Sequence, residues 1–579
     1  MNTVSPMNYL PERYRARSLS TLTHSLVIAL ACLLGCKRST SDTPLPSTSS
    51  TVLAPVPTPP ALAAELIVPN PDGAWSALRD TLGGDAILAP RSVGGLLVSL
   101  FGLPLRAAQE FDETLPAVGA LAGEKDARVA IAFHVRGGGT FVTLLTSGAD
   151  ATFDAAHADG LAKLIPRATA RSGLVPGAAL AIIGNYLVIG NGFDAVGLLG
   201  PYLVRTLATR PAAAHAGTGT SKAQVAVHAE GAAFGQLLGR WLDARVAELD
   251  GATRTKLAPF FDVAAAATAL GATLSKAVST DASVTFGKEG AHLEATARLS
   301  VPDAPDAPDA PDARPLSAGK TLATLPEDTF AAIAFANSST ERKAYARTQA
   351  DGLSLVIPAM GKGASLDGAK LAAALSVVAD GRGDRTTIGA RCTGAGVTGF
   401  AAGDVRDRKT LERGVSDLLA LRSEPAMQAQ LDGAGLEASL EKGRLELVTD
   451  DVWLVRFAPK KKDDPRAPVD LRFTVSEARY IIGAGVETVE TLQGFYRPDP
   501  SRTLGAIAEV RSALDAAAAP TWWTLFVDPV GFAACQGGKP GAKSGAPVVV
   551  SFGPTAGGLH LRIDSARAAL AFAARSLLQ

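Results

Sequence analysis

The sequence predicts an α+β protein: two related copies with mainly antiparallel sheets packed by helices, joined by an Ala/Pro/Asp spacer. Three observations predict this. Short β-rich runs bounded by glycine alternate with stretches of helical period along the body, which favours antiparallel sheets with helices over a parallel βαβ array. The pattern Ile-Gly-x-Gly-apolar-acid-x-Val-x-x-Leu occurs twice, from Ile189 to Leu199 and from Ile482 to Leu492. Between the two runs Asp303-Ala304-Pro305-Asp306-Ala307-Pro308-Asp309-Ala310-Pro311-Asp312, with proline at every third position, which favours a semi-rigid polyproline II spacer. Its aspartates fall ~9 Å apart at ~3.1 Å per residue, too far to share one calcium ion.

In chain order, the first segment is residues 1–35. Arg13, Arg15 and Arg17 precede an apolar stretch from Leu26 to Gly35. That stretch is shorter than the ~20 residues of a membrane span and reads as the apolar region of a secretory signal. It ends in Leu33-Leu34-Gly35-Cys36, which resembles the lipobox of bacterial lipoproteins. The resemblance implies acylation of the Cys36 thiol and cleavage just before it. Two or three acyl chains give a lasting anchor, where a single chain holds only marginally. Lys37 in place of an aspartate tilts the expected location toward the outer membrane. Residues 36–62, rich in Ser, Thr and Pro, then form a polar tether that cannot bury enough apolar surface to fold.

The first copy spans residues 63–300. Val129 to Val135 and Thr140 to Leu145 read as a hairpin joined by Gly137-Gly138-Gly139. Gly231 to Leu249 and Leu257 to Ala277 carry helical spacing. In Ile189-Gly190-Asn191-Gly192 a strand, a glycine turn and a helix are expected, with Asp194 in the first helical turn. After the linker at 301–320, the second copy spans 321–579. Lys409 to Leu421 reads as helix, Leu445 to Phe457 and Leu471 to Ile482 as strands, and Lys460 to Pro465 as the loop between them. Two further pairs of segments recur in the same order. Leu66-Ile67-Val68 matches Ala332-Ile333-Ala334-Phe335, and Thr285-Phe286-Gly287 matches Ser551-Phe552-Gly553. Tyr186 and Tyr480 precede the glycine motif with spacings that differ by one residue. As a whole, the body loosely resembles uncharacterised exported bacterial proteins with duplicated strand-helix domains, a resemblance that brings no function with it.

Hydrophobic residues make up 47% of the chain and charged residues 19%, enough to build large cores. Lys plus Arg equals Asp plus Glu at 56 each, so the basic footprint of a nucleic-acid partner is missing. Of four cysteines, Cys32 leaves with the signal and Cys36 is the lipid attachment site. Cys392 and Cys535 remain as a possible disulfide in an oxidising compartment, or as two buried thiols.

No motif points to catalysis. Ile-Gly-x-Gly lacks the third glycine of a dinucleotide fingerprint, and its acid opposes a pyrophosphate. Gly538 to Ser544 has alanine where a phosphate-binding loop needs glycine before the lysine. Gly363-Ala364-Ser365-Leu366-Asp367 fails at the last position of a nucleophile elbow. His134, His157, His215, His228, His292 and His560 show no short-range metal spacing; His134 and His228 sit among strand residues, where a hydrogen-bonded structural role is the default. Arg382-Gly383-Asp384 matches an adhesion tripeptide but lies in a run that reads as a turn. Trp522 and Trp523 would face opposite sides of a strand. No catalytic residue, cofactor or metal is therefore expected. The expected function is a membrane-anchored envelope protein that binds another protein, a polymer or an amphiphile. The alternative is a hydrolytic enzyme with a site between the two copies.

Overall fold

The computed structural model describes residues 54–578, leaving out 84–88, 102, 124–126, 147–152, 155–161, 165–177, 211–222, 231, 249–275, 301–316, 345, 348–349, 351–367, 394–395, 462, 465–467, 518–520, 537–544 and 556. Cys36, the signal, most of the tether, the Asp-Ala-Pro spacer, the helix expected at Leu257 to Ala277, and the Gly363 and Gly538 stretches lie wholly or mainly outside the described residues. So do His157 and His215. Ala277 itself opens a strand rather than ending a helix. The chain divides into two units: the N-terminal one holds 15–242 and 270–300 with 573–579, and the C-terminal one holds chiefly 301–572, with 243–269.

The N-terminal unit runs β1 (Leu62–Val68), α1 (Pro71–Leu82), α2 (Val93–Phe101), β2 (Ala117–Ala122), β3 (Arg128–His134), α3 (Gly138–Thr146), β4 (Phe153–Asp154), β5 (Ala162–Leu164), β6 (Ala179–Ile183), β7 (Tyr186–Gly190), α4 (Phe193–Tyr202), β8 (Val225–Glu230), α5 (Ala232–Glu248), β9 (Ala277–Phe286) and β10 (Gly290–Leu299). Every pairing is antiparallel, and the spatial order is β4-β5-β6-β7-β3-β2-β1-β8-β9-β10. Helix α1 starts where Asn70 accepts from the Gly73 amide at 2.9 Å and Pro71 supplies a preset φ; Gly83, at φ +64°, ends it. One face of the sheet packs against α1, α2 and α3 through Trp75, Leu78, Leu97, Phe101 and Phe141. The opposite face packs Val196, Leu199 and Tyr202 of α4 against Ala120, Ala130 and Val188.

The C-terminal unit runs α6 (Ala318–Ala323), β11 (Thr329–Ala336), α7 (Gly368–Gly381), β12 (Arg382–Thr393), β13 (Gly396–Val405), α8 (Arg408–Ala420), α9 (Pro425–Gly433), β14 (Leu436–Gly443), β15 (Val452–Pro459), β16 (Val469–Val475), β17 (Arg479–Gly485), α10 (Thr488–Tyr496), α11 (Ala508–Ala516), β18 (Trp523–Val527), α12 (Pro529–Gln536), β19 (Val548–Thr555) and β20 (Gly558–Ala566). Its strands are again all antiparallel, in the order β14-β15-β16-β17-β13-β12-β11-β18-β19-β20. That is the order of the N-terminal sheet, strand for strand. Helices α6 and α11 bury Leu322, Val510 and Leu514 over Ala332, Phe526 and Val549. Leu411 of α8 packs on Val475 and Tyr480. Both units are thus α+β with antiparallel sheets, as expected.

Several local expectations fail. Gly138–Thr146 is helix, not the second strand of a hairpin. Phe141, Leu144 and Leu145 have helical spacing, and Phe141 meets Phe111 edge-on at 5.3 Å in the core. A Cβ on Gly138 would stand 2.2 Å from the Gly184 carbonyl, so this helix start needs glycine. Leu471 to Ile482 is not one strand: Ser476, Glu477 and Ala478 turn the chain between β16 and β17, where the Ser476 amide donates to the Arg479 carbonyl at 2.9 Å. Residues 445–451 precede β15 instead of belonging to it. Ala318 to Lys320, placed in the linker, already form α6, with Ala318 fully buried. At the tether's end, Val56 is bonded to Thr206 in both directions, at 2.9 and 2.7 Å, and packs on the second apolar cluster.

Asp380 to Arg385 is not a turn either, because α7 passes directly into β12 at Gly381. A Cβ on Gly381 would lie 2.4 Å from the Leu411 amide nitrogen, so glycine lets α8 close in. The adhesion-like tripeptide is consumed internally. Arg382 sits over the Tyr480 ring and bonds Thr386 at 2.6 Å, while Asp384 is held at 2.5 Å by the buried Arg342. The Trp522 and Trp523 rings both contact Phe552, at 5.5 and 5.7 Å, because Trp522 precedes the strand in a bend. The helices expected at Gly231 to Leu249 and Lys409 to Leu421 are present as α5 and α8. In α8 the Asp407 carboxylate caps the Thr410 amide at 3.1 Å.

Candidate binding cleft in the C-terminal unit

The glycine motif occupies the same place in both sheets and has a structural role. Gly190 ends β7 and Gly483 lies two residues before the end of β17, each beneath the helix that follows. A Cβ on Gly190 would lie 2.8 Å from Val196 Cγ2; one on Gly483 would lie 3.1 Å from Leu492 Cδ1. The second glycines, Gly192 at φ +153° and Gly485 at φ +133°, turn the chain into the helix. Asp194 falls in the first turn of α4, while Glu487 caps α10.

Beside the second of these motifs a cleft of about 420 Å³ opens. Its walls come from the turn before β11, the end of β12, and α10 with the loop that follows it. The chain brings these distant pieces together with backbone bonds. Glu327 N donates to the Arg502 carbonyl at 2.9 Å, Leu504 N to Leu325 at 2.8 Å, and Cys392 N to Asp328 at 3.1 Å. Arg391 crosses the cleft's base. Its guanidinium forks onto both Asp328 oxygens at 2.8 and 2.7 Å and donates to Thr491 Oγ1 at 3.1 Å. The pair is mostly buried, with 13% and 18% of the side chains exposed. A bidentate charge-assisted pair of this kind fixes geometry as well as charge. At the rim Arg502 lies 3.4 Å from Glu327. The lining holds five carboxylates and three guanidiniums, so the cleft is net acidic. Thr329, the cross-strand neighbour of Arg391, is fully buried, and its hydroxyl has no hydrogen-bond partner.

Cys392 also lines this cleft and is joined to Cys535 of α12 in a disulfide with Cα atoms 5.8 Å apart. The start of α12 is fixed separately. The buried Asp528 carboxylate accepts from the amides of Val530, Gly531 and Gly545 at 3.0, 2.9 and 3.1 Å.

The N-terminal unit carries a different polar array. Through the register, Glu65 on β1 stands opposite His228 on β8, and His228 opposite Asp281 on β9. The equivalent row of the C-terminal sheet, reached by the same steps from Gly483, reads Ala332, Phe526 and Val549. His228 Nδ1 is 2.7 Å from Asp281 Oδ1, and Nε2 is 3.3 Å from Glu230. Burial works to lower the His228 pKa, but the hydrogen bonds and charges of Asp281 and Glu230 outweigh it and hold it above the usual value. Glu65 is bound by Arg210 at 3.1 and 2.9 Å and by the Tyr202 hydroxyl. Burial, then the bond to Glu65 and its charge, push Tyr202 up to about 12, against the opposing Arg210.

Three further histidines are described. His134 lies against Tyr186 with its pKa lowered by burial. His292 and His560 occupy equivalent positions on β10 and β20. Among the described residues, no three His, Cys, Asp or Glu side chains are placed to hold a metal ion. No helix there is long and apolar enough to cross a membrane. Of the residues singled out from sequence, Cys392 and Glu487, the acid of the second glycine motif, reach the cleft wall. Arg391, Asp328 and Arg497 were missed because they come from segments with no local motif, and Glu490 because it fills an unspecified position of the glycine motif. The chain matches no known family, no curated protein and no solved structure.

Proposed function

We propose that this chain is an exported, lipid-anchored envelope protein, built by duplication of one α+β unit, which binds a ligand in the cleft of its C-terminal unit. The cleft carries this reading: a cavity with convergent charged groups and a fixed, mostly buried Arg391–Asp328 pair suits a binding site. The shared strand order and the twice-used glycine turn support duplication. The difference between Glu65-His228-Asp281 and Ala332-Phe526-Val549 fits copies that have diverged. Export is supported by the lipobox-like Leu33-Leu34-Gly35-Cys36 and suits the Cys392–Cys535 bridge. The membrane is met through acyl chains on Cys36, with the outer membrane favoured.

Two measurements test this. Cells expressing the wild-type chain incorporate labelled palmitate; a Cys36→Ala variant does not, and accumulates uncleaved. A variant that is processed normally and stays in the membrane fraction overturns the anchor. For the cleft, the mature chain is screened by thermal shift against short peptides, glycans and amphiphiles. Gly494 lines the cleft, and a Cβ there meets nothing within 4 Å, so Gly494→Leu obstructs the cleft without a backbone clash. Ligands of the cleft stabilise the wild type and not this variant. Stabilisation of both alike places the site elsewhere.

A second reading, hydrolysis, draws on the His228–Asp281 hydrogen bond, the arrangement that orients a general base. Against it, the other ring nitrogen of His228 meets Glu230 rather than a hydroxyl or thiol. Loss of an esterase or peptidase activity in His228→Gln would favour this reading.

A further inference from the structure

Two charged groups of the cleft have no side-chain hydrogen bond or ion pair among the described residues. Arg391 and Arg502 are matched by Asp328 and Glu327. Asp499 accepts from the Ser501 amide and hydroxyl at 2.9 and 2.6 Å, and Glu487 is also engaged. Glu490 and Arg497 line the same cleft, are both exposed, and have no side-chain hydrogen bond or ion pair among the described residues. Glu490 lies in the first turn of α10, and Arg497 is its C-terminal cap. At ~1.5 Å per residue, seven residues separate them by ~10 Å along the helix axis. The helix macrodipole accounts for an acid at the start and a base at the end. It does not account for both reaching one cavity. Between them the wall is lowered at Gly494, which offers no side chain.

We infer that the cleft holds a short extended peptide with free termini, its ammonium group on Glu490 and its carboxylate on Arg497. This rests on the reading of the cleft as a binding site. An extended chain advances ~3.4 Å per residue, so three residues cover the ~10 Å of helix axis between the two positions. The cavity of about 420 Å³ falls in the range that small-molecule sites occupy. The excess of carboxylates in the lining disfavours acidic side chains on the peptide. Two extended residues fall short of that spacing and five overshoot it.

Isothermal titration of the mature chain with Ala-Ala-Ala, its N-acetyl, C-amide and doubly capped forms, and the two- and five-residue alanine peptides tests this. The free tripeptide binds best. Capping either terminus weakens binding by about tenfold or more, the effect of losing one charge-assisted hydrogen bond. Glu490→Gln removes the penalty for acetylation and leaves the penalty for amidation; Arg497→Gln does the reverse. Both side chains are exposed, so neither change threatens the fold. If the doubly capped tripeptide binds as well as the free one and Gly494→Leu still blocks it, the cleft stands as the site and the charge assignment falls. If no alanine peptide binds, the peptide inference falls, and the cleft is judged by the wider ligand panel alone.

Discussion

Single glycines decide how closely helix and sheet approach in both units. Gly190→Ala forces its Cβ against Val196, whose backbone nitrogen is also within 3.2 Å, and destabilises the N-terminal unit by about 1–3 kcal/mol. Gly483→Ala meets only the far end of Leu492 at first contact and costs less. Urea titrations of the two variants check the ranking. His228 gives a pH signature of defined sign. Its folded pKa lies above the value of about 6.5 that it takes when unfolded. Its bonds to Asp281 and Glu230 therefore contribute stability in full below about pH 6.5, and this is lost as pH rises through the folded pKa. In His228→Gln that slope disappears, measured as urea midpoints across the range. The sequence offered His228 as a strand histidine with a hydrogen bond, which is how it stands. It offered nothing about Asp281, because the pairing joins strands separated by a helix and a long intervening segment.

Elements were legible where periodicity was strong. Helices α5 and α8 fall within a residue of their expected limits. The glycine run at 137–139 misled because glycine opens hairpins and tight helix starts alike. What decides is the Gly184 carbonyl, a distant group that no local pattern reveals. The pair Thr285 to Gly287 and Ser551 to Gly553 looked equivalent but is offset. Counting along the sheets from Asp281 and Val549, Thr285 matches Gly553, so the likeness slips by two residues. Tyr186 and Tyr480 differ by one position relative to their glycines and so point to opposite sheet faces. At this scale the disulfide is the strongest clamp. It joins the end of β12 to α12 across 143 residues. In the chain-entropy view such a loop constrains the unfolded state by about 5 kcal/mol. A Cys392→Ser/Cys535→Ser chain loses a comparable amount in denaturant titration, and reductant brings the wild type toward it.

Across the whole molecule, the sequence announced α+β bodies with antiparallel sheets, but not the order of the ten described strands in each. That order depends on pairings such as Glu65 with His228 and Ala332 with Phe526, which no window of sequence contains. The cleft was invisible for the same reason: Arg391, Asp328 and α10 meet only after the sheet has formed. The two bodies have different electrostatic interiors on equivalent rows, so exchanging them is informative. Placing Ala, Phe and Val at Glu65, His228 and Asp281 together removes the pH slope but leaves Arg210 and Tyr202 without Glu65. Circular dichroism and urea unfolding will show net destabilisation, because a stranded, partly buried guanidinium costs more than the new apolar contact returns.

The strand order also constrains how each body folds. The first strand of each unit lies in the interior of its sheet, between an early neighbour and a late one: β1 between β2 and β8, β11 between β12 and β18. One side of that strand zips up with nearby chain. The other side stays an open edge until a segment far along the sequence arrives. Such long-range closure is slow, because the loop entropy is spent before the contacts repay it. An unpaired apolar edge is also where chains join wrongly. Until its last three strands pair, each half keeps that edge open. Refolding yield in vitro will fall steeply with protein concentration for that reason.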